Sequence, residues 1–245
     1  MAPCSTRARR ESGVRSNLSV IDRAVEPEWL DELPPTDRRA IRSRRDLRLL
    51  NRIMGHAGIV RRELCAHLRN ANASIVEIGA GEGGLLLRAL GHRRGDQVVL
   101  VDRQNTVDAE VAAAYRERGF TLRFLVSDVF DWLRRETRMH DAVVANLFLH
   151  HFEDPALAEL LALIAHRTNL FIACEPRRDS LALTGSRMLA LLGCNDVTRH
   201  DAVLSVRAGF RTRDLSALWP AGSAWAVSES RAGLFSHRFV ARRHA

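Results

Sequence analysis

The residues best suited to chemistry lie in one short stretch, Glu77-Ile78-Gly79-Ala80-Gly81-Glu82-Gly83, followed by a further glycine at 84. Glycines at this spacing permit a tight turn, a close backbone approach to a ligand, and close packing of a helix on a strand. Gly79, Gly81 and Gly84 also satisfy the dinucleotide spacing G-x-G-x-x-G, so the glycines alone fit a nicotinamide ligand equally well. The neighbouring charges weigh against that. Glu77 and Glu82 would stand where a pyrophosphate rests on a helix N-terminus, and two carboxylates there repel phosphate. They suit a ligand bearing an ammonium and a sulfonium. Asp102 follows about twenty residues on, where a carboxylate grips ribose hydroxyls. Asp128 is placed to accept a hydrogen bond from an adenine amino group. Each acid has a plainer alternative as a helix cap or a solvated loop residue.

These residues need a scaffold, and the rhythm of the chain supplies one. Apolar runs at 75–78, 98–101, 122–126, 142–145 and 170–173 alternate with helical stretches at 85–90, 109–118, 130–135 and 155–165. Alternation of this kind predicts an α/β fold, doubly wound and Rossmann-like, with a mostly parallel sheet and helices on both faces. Phe210 to Asp214 and Gly233 to Val240 read as two further strands without a normal helix between them. They predict a seven-stranded sheet whose final strand is antiparallel. Three regions follow: a basic tail at 1–25 expected to be disordered, a helical cap at 26–70, and a ligand-binding domain at 71–245 with a helical insertion near 178–207. Thr36 or Asp37, after Pro34-Pro35, can cap the first long helix of the cap.

Glu77-Ile-Gly-Ala-Gly-Glu-Gly, Val101-Asp102, Ser127-Asp128-Val129 and Ala145-Asn146-Leu147 resemble the successive cofactor motifs of class I S-adenosylmethionine-dependent methyltransferases, over about residues 70 to 176. The resemblance implies that S-adenosylmethionine is held by Glu77, Gly79, Gly81, Gly83, Asp102, Arg103, Asp128, Val129 and Asn146. Leu149-His150-His151-Phe152-Glu153-Asp154 is similar to the segment after strand four in small-molecule methyltransferases, both the ubiquinone/menaquinone type and the phenolic O-methyltransferases. A looser likeness, through Arg42-Ser-Arg-Arg-Asp-Leu, Trp219-Pro and Gly233-Leu-Phe-Ser-His237, is to bacterial methyltransferases accompanying type III polyketide synthases.

The chemistry implied is O-methylation of a phenolic, polyketide or quinol-like acceptor. C-methylation and nucleic-acid methylation are the alternatives. A phenol or enol must lose its proton on or before attack, and an imidazole accepts it at neutral pH. His150 is the expected catalytic base and His151 the alternative, with Glu153 or Asp154 to orient the ring. Met188, His200 and His237 are candidate substrate contacts. Glu175 either holds a polar substrate group or pairs with Arg177. Asn146-Leu-Phe-Leu lacks the Asn/Asp-Pro-Pro-Tyr/Phe pattern of amino-methylating enzymes on nucleic acids. A nicotinamide reductase would want a catalytic tyrosine and lysine, yet Tyr115 is the one tyrosine and lysine is absent.

Composition sets the remaining bounds. With 245 residues and 46% hydrophobic content the chain can bury a full core. The net charge of +8 is carried by arginines spread along the chain, so a solvated basic surface is expected rather than a specific nucleic-acid partner. The cysteines (Cys4, Cys65, Cys174, Cys194) have no disulfide or metal spacing, and no His or carboxylate spacing marks a metal either. The absence of a secretory signal or a long apolar run points to a cytoplasmic protein without membrane insertion, acting alone or as a homodimer on a small molecule.

Overall fold

Apolar runs become interior strands when both of their faces can be covered, and that is what happens to four of the five here, the run at 122–126 forming a sheet edge instead. The computed structural model describes residues 22–69, 71–220 and 222–244. Its sheet comprises β1 (Ser74–Ile78), β2 (Gln97–Asp102), β3 (Thr121–Val126), β4 (Ala142–Asn146), β5 (Leu170–Pro176), β6 (Trp225–Ala232) and β7 (Ser236–Arg243), in the order β3-β2-β1-β4-β5-β7-β6. The first five strands are parallel, and β7 runs antiparallel to both β5 and β6. Along β4, Ala142 and Val144 face one core while Val143 and Ala145 face the other. Two-sided burial is why such strands read as unbroken apolar segments.

The helices are α1 (Trp29–Glu32), α2 (Arg38–Ile53), α3 (His56–His67), α4 (Gly84–Ala89), α5 (Ala109–Glu117), α6 (Val129–Arg135), α7 (Asp154–Ala165), α8 (Ser180–Arg187), α9 (Asp196–Ala208) and α10 (Asp214–Leu218). One face of the sheet is covered by residues of α6, α7 and α10, the other by α3, α4 and α5. Asp37 caps α2 by accepting the Arg39 N–H at 2.7 Å, which satisfies one of the donors a helix start leaves open. The order of strands reverses between β1 and β4. Ligands in such sheets bind in the crevice beyond the carboxyl ends at that point.

Two expectations need correction. Phe210 to Asp214 is not a strand: Phe210 makes a single bridge to Arg177, Thr212 takes a φ of 50°, and α10 begins at Asp214. The partner of the last strand is β6 instead. It lies at the sheet edge, mostly exposed or half-buried, so its polar sequence carries no apolar run to read. The second correction concerns the tail. Residues 1–21 lie outside the described residues, but residues 22–25 are docked on the body of the protein. Arg23 donates to the carbonyls of Ala208 (2.9 Å) and Phe152 (2.7 Å) and pairs with Asp154 at 2.6 Å.

Candidate active site

The glycine turn after β1 has the backbone that only glycine adopts cheaply. Gly79, Gly81 and Gly83 have φ of 62°, 52° and 75°. A Cβ on Gly79 would come within 2.2 Å of the Phe148 ring, whereas one on Gly81 would meet nothing within 4 Å. The Gly81 backbone is thus open to a ligand. Asp102 pins the turn to the end of β2: its Oδ2 accepts the Gly81 N–H at 2.8 Å and its Oδ1 the Gln104 N–H at 2.8 Å. Each oxygen keeps a second lone pair.

Beneath the turn, burial raises the pKa of the Glu77 carboxyl to about 8. Its Oε2 has no hydrogen-bond partner among the described residues, and neither does the buried Oδ1 of Asn146. The register Ile78 to Ala145 brings Asn146 beside Gly79. The Asn146 amide donates to Asn51 Oδ1 at 3.2 Å, so α2 lies over this end of β4. Buried polar atoms are seldom left unpaired. Two orphaned acceptors beside an open glycine backbone suit a ligand rich in donors, such as the amino-acid and ribose portions of S-adenosylmethionine.

The other acids are engaged differently from expectation. Glu82 pairs with Arg44 and Arg48 of α2, so it ties that helix to the turn and does not stand free to face a sulfonium. Asp128 caps α6 through the N–H groups of Phe130 (2.8 Å) and Asp131 (3.3 Å), with Val129 buried as the first residue of the helix. Arg103 is exposed at the end of β2; against burial, which would raise it, the pKa of Asp31 is lowered by the hydrogen bond to and charge of His151, with the Arg103 charge adding to them.

Beyond the end of β4, residues 149–151 form a 3-10 turn. His150 is 3% exposed and both of its ring nitrogens face carboxylates: Nδ1 meets Glu175 Oε2 at 2.7 Å and Nε2 meets Glu28 Oε1 at 3.3 Å. Glu175 is itself held by the N–H groups of Phe148 (3.1 Å) and Leu149 (2.9 Å). Burial alone would lower the His150 pKa, but hydrogen bonds to Glu175 and Glu28, with their charges, raise it to about 9. With both ring nitrogens facing carboxylates, His150 is not placed to act as the catalytic base that its position after β4 suggested. His151 is the more open ring, with Nδ1 3.3 Å from Asp31 Oδ2 and its side chain 26% exposed.

The carboxylates that orient this turn are Glu28, Asp31 and Glu175. Glu153 and Asp154, expected from spacing, do not take part: Asp154 is bound by Arg23, and Glu153 stands exposed ahead of α7. Arg177 pairs with Asp179 and leaves Glu175 to His150. Glu28 and Asp31 lie far away in the chain, so no local pattern pointed to them.

The remaining candidates have other partners. His200 stacks on Trp29 with centroids 3.7 Å apart, and its Nδ1 lies 2.9 Å from Asp201. Asp201 in turn accepts the N–H groups of Trp29 and Leu30, so this cluster fastens α1 to α9. His237 is buried against Glu229 at 2.7 Å, and Glu229 accepts the Leu215 and Ser216 N–H groups of α10. Met188 is exposed at the end of α8.

A sheet of this order, with a glycine turn after β1, has its ligand crevice where the strand order reverses between β1 and β4. Residues 75–169 match a family described as methyltransferase domain. The matched stretch runs from β1 through α7. No curated protein matches it in sequence. Among solved structures it is similar to magnesium protoporphyrin IX methyltransferase ChlM from Synechocystis PCC 6803 with bound SAM, at 13% identity and a TM-score of 0.55, covering 82% of this chain and 84% of that one. An O-methyltransferase family protein from Burkholderia thailandensis matches at 16% identity and a TM-score of 0.59, covering 86% of this chain and 61% of that one. The plantazolicin methyltransferase BpumL, in complex with a monoazolic desmethylPZN analog and SAH, matches at 14% identity and a TM-score of 0.63, covering 88% and 93%. At these identities the likeness is one of fold.

Proposed function

We infer that the chain transfers the methyl group of S-adenosylmethionine to an oxygen of a small phenolic, polyketide or quinol-like acceptor. One observation carries this reading: the open Gly81 backbone, with the unpaired Glu77 and Asn146 oxygens near it, follows the carboxyl end of β1 beside β4, and β4 runs through Phe148, which packs on Gly79, into the His150–His151 turn. The cofactor, when bound, supplies an electrophilic methyl on a sulfonium. Asp102 and Asp128 hold its ribose and adenine through lone pairs left over from their backbone contacts, and Glu77 and Asn146 receive donors from its amino-acid end. The protein's share of an in-line displacement is alignment, and alignment lowers the barrier by several kcal/mol. The acceptor oxygen must also lose its proton. His151 takes it, held in orientation by Asp31, while His150 is kept in place by Glu28 and Glu175.

Calorimetry with S-adenosylhomocysteine and with NADPH, followed by a screen of phenols, quinols and polyketide lactones with labelled cofactor, tests the reading. Asp102→Ala is expected to lose cofactor binding. His151→Ala keeps binding but loses roughly 10²–10⁴-fold in turnover. Binding of NADPH alone would overturn the methyl-transfer reading, and unchanged turnover in His151→Ala would overturn the role of His151.

A further inference from the structure

We propose that Glu28, His150 and His151 form a binding site for a divalent transition-metal cation of the Zn²⁺ or Co²⁺ kind. One donor atom from each lies within 4.8 Å of the other two. His150 Nε2 and Glu28 Oε1 are 3.3 Å apart. Ligands bonded to zinc at ~2.0–2.1 Å and set at a tetrahedral angle stand about 3.4 Å apart. The Nδ1 contact with Glu175 is tighter, at 2.7 Å, as a charge-assisted hydrogen bond is, so the Nε2 contact is the looser of the two. The Nε2 side of His150 is therefore spaced for an ion between the two groups.

The surroundings support the same assignment. A metal-bound histidine commonly gives its other ring N–H to a carboxylate, which fixes the ring and its tautomer. His150 has that arrangement with Glu175, itself fixed by two backbone N–H groups. Glu28 is steadied by the Ser205 hydroxyl. Two imidazoles and one carboxylate favour zinc-like ions over Mg²⁺ or Ca²⁺, and three protein ligands leave a position open. Spacing in the sequence could not mark this site, because Glu28 arrives from the segment ahead of α1.

Only the use of the ion rests on the methyl-transfer reading. At the open position it would lower the pKa of an acceptor hydroxyl so that bulk water takes its proton, and His151 would then be a ligand in place of the proton acceptor. Without an ion, the same cluster is an ionic clamp that fastens residues 22–33 over the turn.

The test uses the full chain stripped with a chelator and titrated with Co²⁺, read by visible absorption, with Zn²⁺ followed by competition against a chromogenic chelator. One Co²⁺ per chain is expected, with the visible band abolished in His151→Ala and the affinity at least tenfold weaker in Glu28→Gln. His150→Ala is no clean test, because removing the buried ring leaves Glu28 and Glu175 facing each other unpaired. S-adenosylhomocysteine binding in the same samples checks that each variant is folded and reports separately on the methyl-transfer reading. No visible band in the wild-type chain, or a band indifferent to both substitutions, overturns the site.

Discussion

Replacing Glu77 by glutamine should make the protein more stable at alkaline pH, and the size of the effect follows from burial. The folded carboxyl has a pKa of about 8, against 4.5 for the free group. Between those values the unfolded chain has released the proton and the folded chain still holds it. The unfolded state therefore binds fewer protons, and wild-type stability falls as pH rises from about 4.5 to 8. A difference of this size corresponds to an upper limit of about 5 kcal/mol at ~1.36 kcal/mol per pH unit. Above pH 8 both states are ionised and the loss is complete. Glutamine has nearly the same shape and cannot ionise. Urea unfolding of cofactor-free wild type and Glu77→Gln, from pH 5 to pH 9, should show the variant gaining on the wild type by several kcal/mol. Cofactor binding gives a second readout. If Glu77 receives the amino-acid end of the ligand, S-adenosylhomocysteine binding at pH 7 releases about one proton, seen as an enthalpy that depends on the buffer. Parallel stability profiles for the two proteins would refute the claim that Glu77 is buried as a neutral acid.

Two further substitutions probe opposite sides of the crevice. Gly81→Ala places a methyl group in open space on a backbone with a φ of 52°; it should cost about 1–2 kcal/mol in unfolding measurements, while calorimetry shows S-adenosylhomocysteine affinity falling at least tenfold. Unchanged affinity would mean that no ligand approaches that backbone. His150→Ala leaves Glu28 and Glu175 facing each other without their shared cation, and urea unfolding should show a loss of about 3–5 kcal/mol, as for other broken buried ion pairs. A loss under about 1 kcal/mol would show that water or a rearranged side chain replaces the ring.

What could be read from the sequence depended on whether the signal was local. β1, β2, β4 and β5 were legible because burial on both faces demands consecutive apolar residues, and the glycine turn was legible because three positive-φ positions demand glycine. β6 was missed because an edge strand needs neither. The charges were harder. Glu77 and Glu82 share one turn and looked alike, yet Glu77 is buried with an unpaired oxygen while Glu82 is neutralised by Arg44 and Arg48. Those arginines sit one helical turn apart on α2, a spacing that puts both on the same face. That was the one sequence signal able to anticipate an acidic partner, though it could not say which one. The His150–His151 turn shows the limit most clearly. Its place after β4 follows from the alternation of strands and helices, but the state of each ring is decided by Glu28, Asp31 and Glu175, brought from a segment ahead of the domain and from the neighbouring strand. The cofactor side of the crevice is built from the ends of consecutive strands and can be read in order along the chain. The proposed acceptor side is covered by residues 22–33, which supply Glu28 and Asp31 to the two histidines, so the chemistry proposed for it needs that segment docked. Cleavage or loss of those residues should therefore impair methyl transfer well before it impairs cofactor binding.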